Sequence, residues 1–73
     1  MNEKVKKRLE KIYYKVDMIK LEADYINEDL IPEVEDDSED LYTIESSLEN
    51  IERWARDTRE YVRNTYDEFE EEE

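Results

Sequence analysis

The stretch Leu30-Ile31-Pro32-Glu33-Val34-Glu35-Asp36-Asp37-Ser38 decides how this chain folds, because it holds the single proline of a sequence that contains no glycine. Pro32 disfavours helical geometry at Ile31 and has no amide hydrogen with which a helix could continue. Just beyond it, Asp37 or Ser38 can accept a hydrogen bond from the first free amides of a new helix, and Glu39 and Asp40 place negative charge on its positive dipole end. The stretch predicts a first helix over about residues 2–30, an acidic turn over 31–38 and a second helix over about 39–68.

Working outward in both directions, the apolar residues confirm that two helices are intended. Before the turn they fall at Val5, Leu9, Ile12, Val16, Ile19, Ala23, Ile26 and Leu30, alternating spacings of four and three. After it a second series runs Leu41, Ile44, Leu48, Ile51, Ala55, Thr58, Val62, Thr65 and Phe69 with the same alternation, its far end weakened by the two threonines. This is the heptad rhythm of helices that pack along their length. The expected fold class is all-α: a single-domain antiparallel two-helix coiled-coil hairpin that dimerises into a four-helix bundle. The carboxylates of Asp67, Glu68 and Glu70–Glu73 oppose the negative end of the helix dipole, so fraying is expected beyond about Tyr66, with a frayed acidic tail over 69–73.

Folding the helices back on each other sets a register. The opposed pairs Leu30/Leu41, Ile26/Ile44, Ala23/Leu48, Ile19/Ile51, Val16/Ala55, Ile12/Thr58 and Leu9/Val62 match small residues to large ones. One flank then pairs Lys6/Tyr66, Tyr13/Arg59, Lys20/Glu52 and Asn27/Glu45. The other pairs Arg8/Tyr61, Lys15/Trp54, Glu22/Ser47 and Asp29/Asp40. Four of these place a cation on an aromatic ring, a contact that contributes about 0.5–1 kcal/mol at exposed sites.

Charge is distributed unevenly along this rod. Residues 1–20 carry seven basic and three acidic side chains, net +4; residues 21–50 carry twelve acidic and no basic ones, net −12; residues 51–73 carry four basic and nine acidic ones, net −5. The hairpin lays the basic start of the first helix beside the acidic end of the second, so one pole of the rod is balanced. The turn pole, with Glu22, Asp24, Glu28, Asp29, Glu33, Glu35, Asp36, Asp37, Glu39, Asp40, Glu45 and Glu49, has no cation beside it. Its self-repulsion costs stability, and a surface that violates local preferences in one consistent direction is a candidate binding end.

The residue inventory excludes most chemistry. Without Cys or His there is no disulfide, thiol nucleophile, imidazole base or zinc site. The Asp36–Asp40 run lacks the alternating ligand spacing and central glycine of a calcium-binding loop. A two-helix rod offers no cleft in which paired carboxylates could act as acid and base, so no enzyme, no cofactor and no metal are expected. The net charge of −13 opposes direct contact with nucleic acid or membrane surfaces. No run is long enough to cross a bilayer, and Met-Asn-Glu-Lys leads into no secretion-signal core, so a cytoplasmic protein is expected.

A second apolar stripe, Tyr14, Met18, Leu21 and Tyr25, lies on the first helix opposite its core face, where the second helix offers only Thr43, Ser46, Asn50, Arg53, Asp57 and Glu60. Such a patch marks a contact surface, and it is expected to be a homodimer face or a partner face. With a small domain's need for extra burial, the expectation is an acidic interaction module that works as a homodimer. Its most concrete form is an inhibitor or regulator that mimics nucleic-acid charge to block a basic nucleic-acid-binding protein, possessing enzymes of that kind as partners. In composition, though in no motif, the chain resembles the acidic helical inhibitors that bacteriophages direct at host nucleases, the anti-restriction and anti-CRISPR proteins. The alternative is a structural oligomerisation or assembly module whose acidity only confers solubility.

Overall fold

The computed structural model describes residues 3–35 and 38–71. An α-helix, α1, covers Glu3–Tyr25; the chain continues as a single widened π-helical turn over Ile26–Leu30; and a long helix, α2, covers Ser38–Glu71. α2 runs antiparallel to α1, as shown by contacts between Arg8 and Glu68 at one end and between Glu22 and Ser47 near the other. The result is a helical hairpin measuring 57 × 16 × 9 Å. Its radius of gyration of 16.7 Å compares with about 11 Å for a compact domain of this length.

The turn is built as its residues dictate. The Ile31 amide reaches back five residues to the Ile26 carbonyl at 2.8 Å, which widens the last turn before Pro32, where no amide is available. The Val34 amide then donates to the Ile31 carbonyl at 3.2 Å, and the Glu35 amide to the Asp40 carboxylate at 3.2 Å. Asp40 thus ties the loop to the first turn of α2. Of the two expected capping residues, Asp37 lies outside the described residues, and Ser38 is the first residue of α2.

The register is the one that two flanking pairs specify: the Arg8 guanidinium lies 4.9 Å from the Tyr61 ring centre, and the Ser47 hydroxyl donates to the Glu22 carboxylate. The roll of the helices about their own axes differs from the sequence reading. Val5 and Ile26, 1% and 6% exposed, are the buried apolar side chains among the described residues, and Ser47, Thr58 and Thr65 are buried with them. Leu9, Val16, Leu41, Leu48, Val62 and Phe69, all read from the sequence as seam residues, stay exposed. Each helix has turned so that the line Val5, Ile12, Ile19, Ile26 meets Ile44, Ile51, Thr58, Thr65, with the Arg8–Lys15–Glu22 flank rolled inward against Ser47, Trp54 and Tyr61.

The physical reason lies in the side chains of that flank. Arg and Lys stems and Tyr and Trp rings are apolar over most of their length and can cover a seam while their polar ends stay wet. Three cations gather on one ring: besides Arg8, the Lys15 and Lys11 ammonium groups sit 5.3 and 5.7 Å from the Tyr61 centre. The other flank lies open, and its ring-bearing members Tyr13 and Tyr66 are exposed.

α2 remains helical through Glu71, beyond the point where fraying was expected. The Arg8 Nη2 donates to Glu68 Oε1 at 2.8 Å, Arg8 Nε lies 2.8 Å from Glu68 Oε2, and Lys4 Nζ lies 3.7 Å from Oε1. These contacts hold the last turns of α2 against the basic start of α1 and offset the unfavourable dipole.

Candidate functional site

Three surfaces present themselves, and the first is the acidic turn end. α1 supplies Glu22 and Asp24, the π turn supplies Glu28 and Asp29, the loop supplies Glu33 and Glu35, and α2 supplies Glu39, Asp40, Glu45 and Glu49. Asp36 and Asp37 lie outside the described residues. Glu22 is committed to Ser47, and Asp40 to the Glu35 amide, so these two serve the fold. Glu28, Asp29, Glu33, Glu35, Glu39, Glu45 and Glu49 are exposed, and they converge on the end of the rod because Pro32 and the π turn reverse the chain there. No basic residue stands between Leu21 and Asn50 to neutralise them.

The second surface is the outer stripe of α1. Tyr14, Met18, Leu21 and Tyr25 are all exposed, with Leu21 at 60%. Tyr14 packs edge-on to Tyr13, ring centres 5.8 Å apart. Sequence reasoning assigned this stripe to α1 alone, but Met18 shares a groove with Lys15, Trp54, Asp57 and Thr58, so α2 contributes an indole to its edge. The signal was the pairing of Lys15 with Trp54, which sets the tryptophan beside the position one turn along from Lys15.

The third surface was not anticipated. With the seam rolled toward Arg8 and Tyr61, the heptad positions Leu9, Val16 and Ala23 on α1, Leu30 in the π turn, and Leu41, Leu48, Ala55, Val62 and Phe69 on α2 fall on one side of the rod. Leu9, Ile12, Val62, Thr65, Tyr66 and Phe69 line a single shallow groove across both helices. Leu41 and Leu48, 61% and 52% exposed, continue the apolar character toward the turn. The sequence carried a signal for this in Ser47, Thr58 and Thr65: where a seam contains hydroxyl side chains, the larger aliphatic residues beside it are free to face elsewhere.

Among the described residues no three or more His, Cys, Asp or Glu side chains cluster as a metal site, and no helix is long and apolar enough to cross a membrane. Comparison with family models, with curated proteins and with solved structures found no match.

Proposed function

We propose that this chain is a non-catalytic acidic interaction module whose turn end occupies the basic groove of a nucleic-acid-binding protein, standing in for phosphates. The observation that supports this reading is the concentration of charge: the sequence has twelve carboxylates and no cation in residues 21–50, and most of those among the described residues are exposed. Carboxylates at Asp24 and Glu28, and at Glu45 and Glu49, stand one helical turn apart, about 6 Å along the axis. Carboxylates carried on preformed helices enter a cationic groove with less backbone ordering than a flexible chain would need, and neutralisation there relieves their own repulsion. Such a partner, an enzyme or repressor that handles nucleic acid, is met in the cytoplasm.

The test is competition. The protein is added to complexes between a labelled DNA duplex and a set of basic nucleases and repressors, at about 50 and 500 mM salt. The expected result is displacement of DNA from a subset at low salt, lost at high salt and lost with Glu28→Gln, Asp29→Asn, Glu33→Gln and Glu35→Gln combined. Displacement that survives this fourfold neutralisation would sink the mimic reading.

The second reading, an oligomerisation module whose acidity only confers solubility, is favoured by a different observation, the exposed aliphatic side of the hairpin. Its finer form is a four-helix bundle made of two hairpins.

A further inference from the structure

The side of the hairpin carrying Leu9, Val16, Leu41, Leu48, Val62 and Phe69 has an identifiable occupant. We propose that a second copy of this chain packs on it, about a two-fold axis across the rod, so that the two acidic turns point in opposite directions. The dimer face is then on the opposite side from the Tyr14–Met18–Leu21–Tyr25 stripe, which stays open to other partners.

Area is the first argument. The chain exposes 6185 Å², whereas a folded monomer of 9.0 kDa exposes about 4,900 Å². On this side the exposed surface includes Leu9, Val16, Leu41, Leu48, Val62 and Phe69. A rod face of 57 × 16 Å offers about 900 Å², against the roughly 800 Å² per partner of a stable interface. With Val5 and Ile26 as the buried apolar side chains among the described residues, the lone hairpin lacks a core, and a second copy supplies one.

Charge decides the orientation. A two-fold axis along the rod would set one turn half, net −12, beside the other at the spacing of packed helices, about 10 Å and close to the roughly 8 Å screening length at physiological salt. An axis across the rod instead sets each turn half beside a half that is nearly neutral, since residues 1–20 carry +4 and residues 51–73 carry −5. Glu52 and Arg59, exposed on the rim of this side, straddle the middle of α2, so the same axis places each against the other's opposite charge in the second copy.

This inference rests on the shape of the hairpin and is independent of the acidic partner: a monomer would overturn it and leave the mimic reading standing, whereas failed competition with DNA would leave it untouched. Light scattering on the eluting peak gives the mass directly. The expected mass is twice 9.0 kDa for the wild type and for Leu21→Lys, and 9.0 kDa for Leu48→Lys and Val62→Lys with helical circular dichroism retained. The chain has no cysteine, so a single Ser38→Cys carries one spin label per copy. Its expected separation across the dimer is near the 57 Å rod length. A monomeric wild type, a dimer broken by Leu21→Lys but not by Leu48→Lys, or labels within about 25 Å on rods only 16 Å wide would each overturn the proposal.

Discussion

Replacing Arg8 with alanine removes, in one step, the contacts that close the open end of the hairpin. The guanidinium donates to Glu68 Oε1 at 2.8 Å, lies 2.8 Å from Oε2, reaches Thr65 Oγ1 at 3.4 Å and covers the Tyr61 ring at 4.9 Å. Both members of the ion pair are partly covered, with side chains 24% and 22% exposed, so the pair belongs near the upper end of the roughly 0.2–1 kcal/mol measured for exposed pairs. The ring contact adds about 0.5–1 kcal/mol and the lost stem exposes part of the seam, which brings the expected destabilisation to about 2 kcal/mol. For a domain of 73 residues this lowers the melting midpoint by about 8–16 °C. Urea and thermal melts followed by circular dichroism at one fixed protein concentration measure it, since self-association would make the midpoint concentration-dependent. Arg8→Lys should lose about half as much, because the ammonium keeps its charge but not the fork. A double-mutant cycle with Glu68→Gln should give a coupling of about 1 kcal/mol. If Arg8→Ala falls within about 0.3 kcal/mol of wild type, the argument that this flank holds the helices together is wrong.

Other outcomes follow from the same geometry. Thr58 is buried and its hydroxyl donates to the Trp54 carbonyl, which already accepts within the helix, so Thr58→Val strands no polar group and should be neutral to stabilising by about 0.5–1 kcal/mol in urea melts. Ile26→Ala empties a buried site in the widened turn and should cost about 2–4 kcal/mol, with faster amide exchange at Ile31. Ser47→Ala removes the donor that satisfies Glu22 and should cost about 1 kcal/mol, seen in the same melts. Raising salt from about 50 to 500 mM should raise the melting midpoint, because screening relieves the −12 turn half more than it weakens the clasp at the other end.

The two helices, their break and their register were legible in the sequence because each rests on a local, one-dimensional signal. Pro32 stops a helix wherever it stands, and a three-four alternation selects one face. Opposed pairs such as Arg8 with Tyr61 and Glu22 with Ser47 follow from antiparallel arithmetic. The roll of each helix was not legible. Leu9, Val16 and Ala23 lie about 50° to one side of the Val5–Ile12–Ile19 line, and Arg8, Lys15 and Glu22 about 50° to the other, so counting apolar residues favours the first side. The structure closes the second, where long amphipathic side chains reach further across the gap than Leu or Val. The π turn had no signal beyond Pro32, since nothing in Ile26-Asn27-Glu28-Asp29-Leu30 distinguishes a five-residue from a four-residue hydrogen-bond step. Helical order out to Glu71 depended on Glu68 meeting Arg8 from sixty residues away, a contact no local rule contains.

That separation also sets the order in which the molecule can assemble. The shortest loop to close is the acidic one, so folding must begin where like charges meet, and the attractive clasp, at the far end of the chain, forms last. Salt and neutralising substitutions at the turn should therefore accelerate folding, while loss of Arg8 should leave the folding rate nearly unchanged and speed unfolding instead. The chain meets its repulsion early and its latch late, and the lifetime of the closed hairpin is governed at the end opposite its turn.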